Sequence, residues 1–306
     1  MKLNCGSRII EQLFSGPAVS GQSINTWTPN REPDLKFTLH WIRRVSELGL
    51  DSLCLWVPSE DNLELISRKE RAELIRRSCR ERSLTIDNLA VSFLASWTVG
   101  NVSARHLEKA WSRLAAFAET VGAGVVEIVS PSVPLQSQAG RVGRKMSSSS
   151  PLGDFSWSRT WSGYVSRMRR YAELAELHGL RLAVEPRPSD LLCNTDSLLR
   201  LMDAVPSQNL GGVVDFSHIQ MAREQPTLSM MKLGKKIFSV HLSDYDGITD
   251  CHWPPGQGII KWEPIFAALR EARYNGILSL DVSGMDVEQE VVEARQYVES
   301  LLERFA

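Results

Sequence analysis

Four polar residues in the second half of the chain each close a short apolar run. Glu185 and Asp215 end aliphatic runs, and His241 and Asp281 each follow one. Short apolar runs bounded by polar or turn residues predict buried strands of a parallel sheet. Burial of an unpaired charge is costly, so four such groups at one end of a sheet need a counter-charge. Carboxylates with one imidazole form a donor set that suits a divalent cation.

The elements that must position these residues alternate along the chain. The patterns predict helices at residues 34–48, 67–82, 106–121, 161–178, 195–204, 228–233, 262–272 and 287–305. They predict seven strands at residues 51–57, 84–91, 125–129, 180–185, 210–215, 237–242 and 276–282, and an eighth is expected near residues 22–27. Strands that alternate with helices indicate βαβ units and a parallel sheet. Eight such units in 306 residues predict a closed (β/α)8 TIM barrel, and an open doubly wound sheet is the alternative.

We predict one barrel domain over residues 1–306, with an insertion around residues 131–157. The low-complexity stretch at residues 136–153 contains four consecutive serines and follows the fourth predicted strand. Active-site loops of such a barrel lie on that side of the sheet. Two interpretations stay open, namely a surface insertion and a segment that covers the substrate.

Charge and cysteine content narrow the classes of partner. The chain has 35 basic and 36 acidic side chains, which argues against a protein that binds the nucleic-acid backbone. Five scattered cysteines indicate a reduced compartment. The N-terminal residues lack the apolar segment of a secretory signal, and no apolar run has the length needed to cross a bilayer. We therefore expect a cytoplasmic protein without nucleic-acid or membrane partners.

Three motifs at the ends of predicted strands resemble those of the xylose isomerase-like TIM barrels, the sugar phosphate isomerase/epimerase superfamily. The motifs are Val184-Glu185-Pro186, Asp215-Phe216-Ser217-His218 and His241-Leu242-Ser243-Asp244. The stretch at residues 252–262 strengthens the resemblance, which is only architectural before residue 180. That family includes sugar epimerases and isomerases, inosose dehydratases and metal-dependent abasic-site endonucleases. The resemblance implies that Glu185, Asp215, His241 and Asp281 bind one divalent ion, with Mn²⁺ favoured and Mg²⁺, Co²⁺ or Zn²⁺ as alternatives.

The resemblance also implies catalytic roles for Glu185 and Asp281. Epimerases of the family use two glutamates as acid and base on opposite faces of a metal-chelated hydroxyketone, whose carbonyl the metal polarises. Asp281 is one methylene shorter than the usual glutamate, so its carboxylate lies further from the substrate. This departure favours chemistry with one well-placed base, such as isomerisation, dehydration or another elimination.

Three further residues are predicted to contact the substrate. His218 would donate a hydrogen bond to a substrate oxygen, or else satisfy the start of a helix. Arg187 would clamp a carboxylate or phosphate, or else pair with Glu185 or an acidic residue of its loop. Trp253 would stack on a sugar ring, or else pack in the core or at the rim. His218 is also a candidate, together with Asp250 and His252, for a second and weaker ion.

The function that the resemblance implies is a metal-dependent isomerase or epimerase of a small polyhydroxy ketone, working through proton abstraction and an enediolate. A metal-dependent lyase on a keto-sugar, keto-cyclitol or 3-oxo-glycoside is the alternative. A non-catalytic binding barrel and an abasic-site endonuclease rank below these. The endonucleases need histidines after the second and third strands, and the chain has none there. Family relatives often form dimers or tetramers, so a homo-oligomer stays open.

Overall fold

Eight parallel strands pair in chain order and close into a barrel, with the first strand against the eighth. The computed structural model describes residues 3–6, 9, 34–132 and 156–305. The strands are β1 Leu3–Cys5, β2 Ser52–Val57, β3 Thr85–Val91, β4 Val125–Val129, β5 Arg181–Glu185, β6 Leu210–Asp215, β7 Ile237–Leu242 and β8 Ile277–Leu280. The predicted (β/α)8 barrel is confirmed.

The position predicted for the first strand is wrong. β1 pairs with both β2 and β8, so it takes the place that was expected near residues 22–27, which lie outside the described residues. Polar contacts hold β1 in place. Asn4 donates through Nδ2 to Ser52 Oγ at 3.1 Å and to Asn88 Oδ1 at 3.2 Å, and its Oδ1 accepts from Ser279 Oγ at 3.0 Å. The three-residue strand with a central asparagine has no apolar run to mark it.

Helices surround the barrel between the strands. They are α1 Leu35–Glu47, α2 Glu60–Ile66, α3 Lys69–Arg80, α4 Ser92–Trp97, α5 Ala104–Val121, α6 Trp157–Leu177, α7 Thr195–Ala204, α8 Phe216–Met221, α9 Pro226–Leu233, α10 Trp262–Glu271 and α11 Val287–Arg304. The predicted helices correspond to the longer ones within a few residues. Three short helices were missed, namely α2, α4 and α8. Each has only six or seven residues, so none is long enough to show a helical period. Each also starts within three residues of a strand end.

The large apolar core lies between the sheet and the helices, with Trp111, Phe117, Tyr171 and Trp262 almost fully buried. A second, smaller cluster consists of Val125, Ala183, Val213, Phe238 and Ile277. Alternate strand residues face the same side, so Ala183 and Val213 share a face with Glu185 and Asp215, two residues further on. This small cluster therefore forms an apolar floor beneath the strand ends.

No helix of the described ranges combines the length and the apolar character that crossing a bilayer requires. The single domain over residues 1–306 stays a prediction. Residues 133–155, which include the serine-rich stretch and most of the predicted insertion, lie outside the part of the chain that the structure describes.

Candidate metal centre and active site

The four predicted ligands come together at the carboxyl ends of neighbouring strands. Glu185 and Asp215 are the last residues of β5 and β6, His241 is on β7, and Asp281 follows β8 directly. All four are at most 4% exposed. Glu185, Asp215 and His241 offer ligand atoms within 4.8 Å of one another. Asp281 lies beside this group of three, with Oδ2 3.8 Å from His241 Nδ1.

The residues present fit a divalent ion. His241 Nδ1 is buried and has no hydrogen-bond partner within the described ranges. It lies 4.0 Å from Asp215 Oδ2 and 3.8 Å from Asp281 Oδ2. Two donor atoms on one ion are at most about 4.4 Å apart when each bond is about 2.2 Å long. An imidazole nitrogen among carboxylate oxygens at these separations is the arrangement that an ion would bridge.

Asp215 presents only one of its two oxygens to this group. Its Oδ1 accepts hydrogen bonds from Ser217 Oγ at 2.7 Å, from the His218 amide at 3.0 Å and from Ser243 Oγ at 3.3 Å. The amide contact is the N-cap of α8. With Oδ1 occupied by these donors, Oδ2 is the oxygen that faces His241. The carboxylate is therefore oriented before any ligand binds.

The protein's own charges shift the protonation of the site. Burial lowers the pKa of His241, but the carboxylates of Asp281, Glu127 and Glu185 outweigh it and raise this pKa from 6.5 to about 10. Burial raises the pKa of Glu185, but Arg187, His218 and His241 outweigh it and hold this pKa well below 4.5. A proton on His241 and a divalent cation are thus alternative counter-charges for the same carboxylates.

A second polar cluster adjoins the first through His218. Its Nδ1 is 3.0 Å from Glu185 Oε1, and its Nε2 is 3.3 Å from Asp250 Oδ1. His252 Nε2 is 2.8 Å from the same Asp250 oxygen. Burial lowers the pKa of His218, but Asp215, Asp250 and Glu185 outweigh it and raise this pKa to about 10. Asp215, His218 and His252 form a second group whose donor atoms are close enough to share an ion.

Arg187 and Trp253 are the other two residues predicted to contact the substrate. The Arg187 guanidinium lies 3.4 Å from each oxygen of Glu185, which corresponds to the pairing alternative. Trp253 is 39% exposed on the loop after β7, where its backbone pairs with Asp244. Trp253 is therefore partly accessible from solvent.

Glu127 was given no role from the sequence. This β4 residue is 5% exposed, and its Oε2 lies 3.3 Å from His241 Nε2. The available signal was its position in the run Val125-Val126-Glu127-Ile128-Val129, where a charge interrupts a buried strand. The pattern does not predict that Glu127 contacts His241 on β7.

A closed (β/α)8 barrel with buried carboxylates and an imidazole at its strand ends is the architecture of a recognised family. The chain belongs to the xylose isomerase-like TIM barrel family, which it matches over residues 42–303. It is 29% identical to a fructoselysine 3-epimerase from Escherichia coli O157:H7 over 149 residues, covering 47% of this chain and 52% of that protein. The chain thus spans about half the length of the curated relatives it matches.

Two solved structures have the same fold. A probable 3-DHS dehydratase from Bacillus anthracis superposes with a TM-score of 0.68 at 16% identity, covering 98% of this chain and 99% of that one. The IolI protein, solved with a bound zinc atom, gives a TM-score of 0.66 at 18% identity, covering 100% of this chain and 98% of that one.

Proposed function

We propose that the protein is a divalent-metal-dependent isomerase or epimerase of a small polyhydroxy ketone. Glu185, Asp215, His241 and Asp281 are the proposed ligands. The observation that carries the proposal is the buried group formed by Glu185, Asp215 and His241, in which the imidazole Nδ1 has no hydrogen-bond partner in the part of the chain that the structure describes. The similarity to a fructoselysine 3-epimerase supports a carbohydrate substrate.

Glu185 is the proposed base. When bound, the ion supplies polarisation of a substrate carbonyl, which acidifies the neighbouring C–H bond. Glu185 then accepts that proton, because Arg187 and His218 hold its carboxylate in the ionised form. His218 and Arg187 both contact the Glu185 carboxylate and fix its direction. Trp253 is the proposed apolar surface for a sugar ring.

A metal-dependent lyase is the second candidate, and the surroundings of Asp281 favour it. Asp281 Oδ2 lies 3.4 Å from His252 Nδ1 and 3.8 Å from His241 Nδ1. A short carboxylate beside two imidazoles has less reach toward a substrate, which leaves Glu185 as the base with the longer reach. The fold shared with a probable dehydratase is compatible with this chemistry.

Deuterium incorporation separates the two candidates. The protein is stripped with a chelator, reloaded with Mn²⁺, Mg²⁺, Co²⁺ or Zn²⁺ in turn, and incubated with ketohexoses and inososes in D2O. Reversible deuterium uptake into substrate supports isomerisation or epimerisation, while loss of water or an unsaturated product supports the lyase. If the stripped protein takes up none of the four ions, both candidates fail.

A further inference from the structure

Glu127 is a buried carboxylate inside the barrel that packing does not explain. It shares a face of β4 with Val125, a member of the apolar floor, so it points into the barrel interior. Its Oε1 has no hydrogen-bond partner among residues 3–6, 9, 34–132 and 156–305. A buried carboxylate with an unpartnered oxygen destabilises a fold unless another interaction compensates.

The partner of Glu127 is His241, on the far side of the barrel. β4 and β7 are separated by β5 and β6 in the strand order, so the contact crosses the interior. The two ring nitrogens of His241 face different groups. Nε2 lies 3.3 Å from Glu127 Oε2, whereas Nδ1 lies 3.8 Å from Asp281 Oδ2 and 4.0 Å from Asp215 Oδ2.

This geometry selects one form of the imidazole. A neutral imidazole carries a single N–H, and the other nitrogen is then a lone-pair donor. When Nε2–H donates to Glu127, the lone pair is on Nδ1, the nitrogen that faces Asp215 and Asp281. A carboxylate that accepts from a ligating histidine fixes the ring orientation and strengthens its donation to a metal.

We propose that Glu127 is the positioning residue of the metal centre. It accepts the Nε2–H of His241 across the barrel and directs Nδ1 at the ion. The inference rests on the proposed metal site and adds a determinant of its affinity outside the ligand set. Glu127 acts through His241 and contributes no ligand atom of its own.

The test compares Glu127→Gln and Glu127→Leu with Ser239→Ala. Ser239 is the matched control, because it lies two residues before His241 on β7 and is buried with no hydrogen-bond partner for its Oγ within the described ranges. The amide of Glu127→Gln can still accept from Nε2–H but carries no charge, and leucine cannot accept at all. Metal affinity is measured by chelator competition from pH 6.5 to 9 and compared after correction for the proton that His241 loses on binding, and the ligand field is measured by the d–d absorption bands of the Co²⁺ protein.

We expect metal affinity to fall about tenfold in Glu127→Gln and about a hundredfold in Glu127→Leu, the two ends of the usual range for such partners. The Co²⁺ bands shift in Glu127→Leu, and Ser239→Ala matches the wild type. The melting temperature is measured with and without metal. A purely structural role would lower both values together, whereas a positioning role reduces the increment that metal adds.

Wild-type affinity and an unchanged Co²⁺ spectrum in the Glu127 variants would overturn the inference and leave the metal site standing. A wild-type protein that binds no divalent ion would overturn the proposed function as well. If Glu127→Leu does not fold, Glu127→Gln alone decides, because its size and hydrogen-bond acceptor are preserved.

Discussion

Metal binding and the proton of His241 should compete, so the apparent metal affinity depends on pH. The carboxylates of Asp281 and Glu127 keep the pKa of His241 at about 10, although burial alone would lower it. Glu185 is already ionised near neutrality, because its pKa is held well below 4.5. Binding of one ion therefore releases one proton, from His241.

The size of the effect follows from the distance between pH 7 and the pKa. Three units separate pH 7 from a pKa of about 10, so the cost of removing the His241 proton weakens metal binding by about a thousandfold, or about 4 kcal/mol, at neutral pH. The logarithm of the apparent association constant should rise by about one per pH unit between pH 6.5 and 9. Chelator competition measures the constant, and a pH indicator in weak buffer counts the protons released.

A slope near zero would refute the reasoning, because it would mean that His241 is neutral or is not a ligand. A slope near two would mean that His218 also loses its proton, and would place an ion at the group of Asp215, His218 and His252. The matched control is His40→Gln, which alters an exposed histidine on α1 outside the site and should leave the slope unchanged.

Three further predictions concern the same groups. Glu185→Gln should lower turnover by about 10² to 10⁴, the usual contribution of a positioned base, and full deuterium exchange by this variant would show that the base lies elsewhere. Asp281→Glu lengthens the side chain by about 1.5 Å and should raise the share of epimerised product over eliminated product; an unchanged product ratio would count against the length argument. The metal-free protein should lose stability as pH rises. The folded-state pKa values of His218 and His241, about 10, exceed the unfolded value of 6.5, so their contribution is complete below pH 6.5 and disappears as pH rises through 10. Melting temperatures measured from pH 6 to 10 check this, and a flat profile would contradict it.

The elements best predicted from the sequence are those in which an apolar run ends in a polar residue. β5, β6 and β7 were predicted almost to the residue, because each has a nearly continuous apolar pattern between helices. The prediction that Glu185, Asp215, His241 and Asp281 lie close together followed, since the carboxyl ends of parallel strands meet at one face. Their roles as ligands stay a proposal.

Other features depend on contacts that no local pattern encodes. β1 is held by Asn4, which pairs with residues of β2, β3 and β8, so its signal is tertiary. The sequence left open whether Arg187 binds a substrate anion or pairs with Glu185, because the choice depends on how the loop after β5 folds. The contact between Glu127 and His241 joins strands that are not neighbours in the sheet. A strand order predicts which residues share a face, but it does not predict which of them meet across the interior.

The barrel closes where β1 pairs with β8, and this pairing joins the two ends of the chain beside the site. Asn4 and Ser279 are 275 positions apart, and the Gly6 amide bonds Leu280 O, immediately before Asp281. Contacts of such sequence separation carry a large loop-closure entropy and form late in folding. β8 also pairs with β7, and the Asp281 amide donates to Leu242 O, so Asp281 reaches the other three residues through the pairing of β5 to β8 and does not need β1 to close the barrel. An ion that binds all four would hold β5, β6, β7 and β8 together and protect their amides from hydrogen exchange.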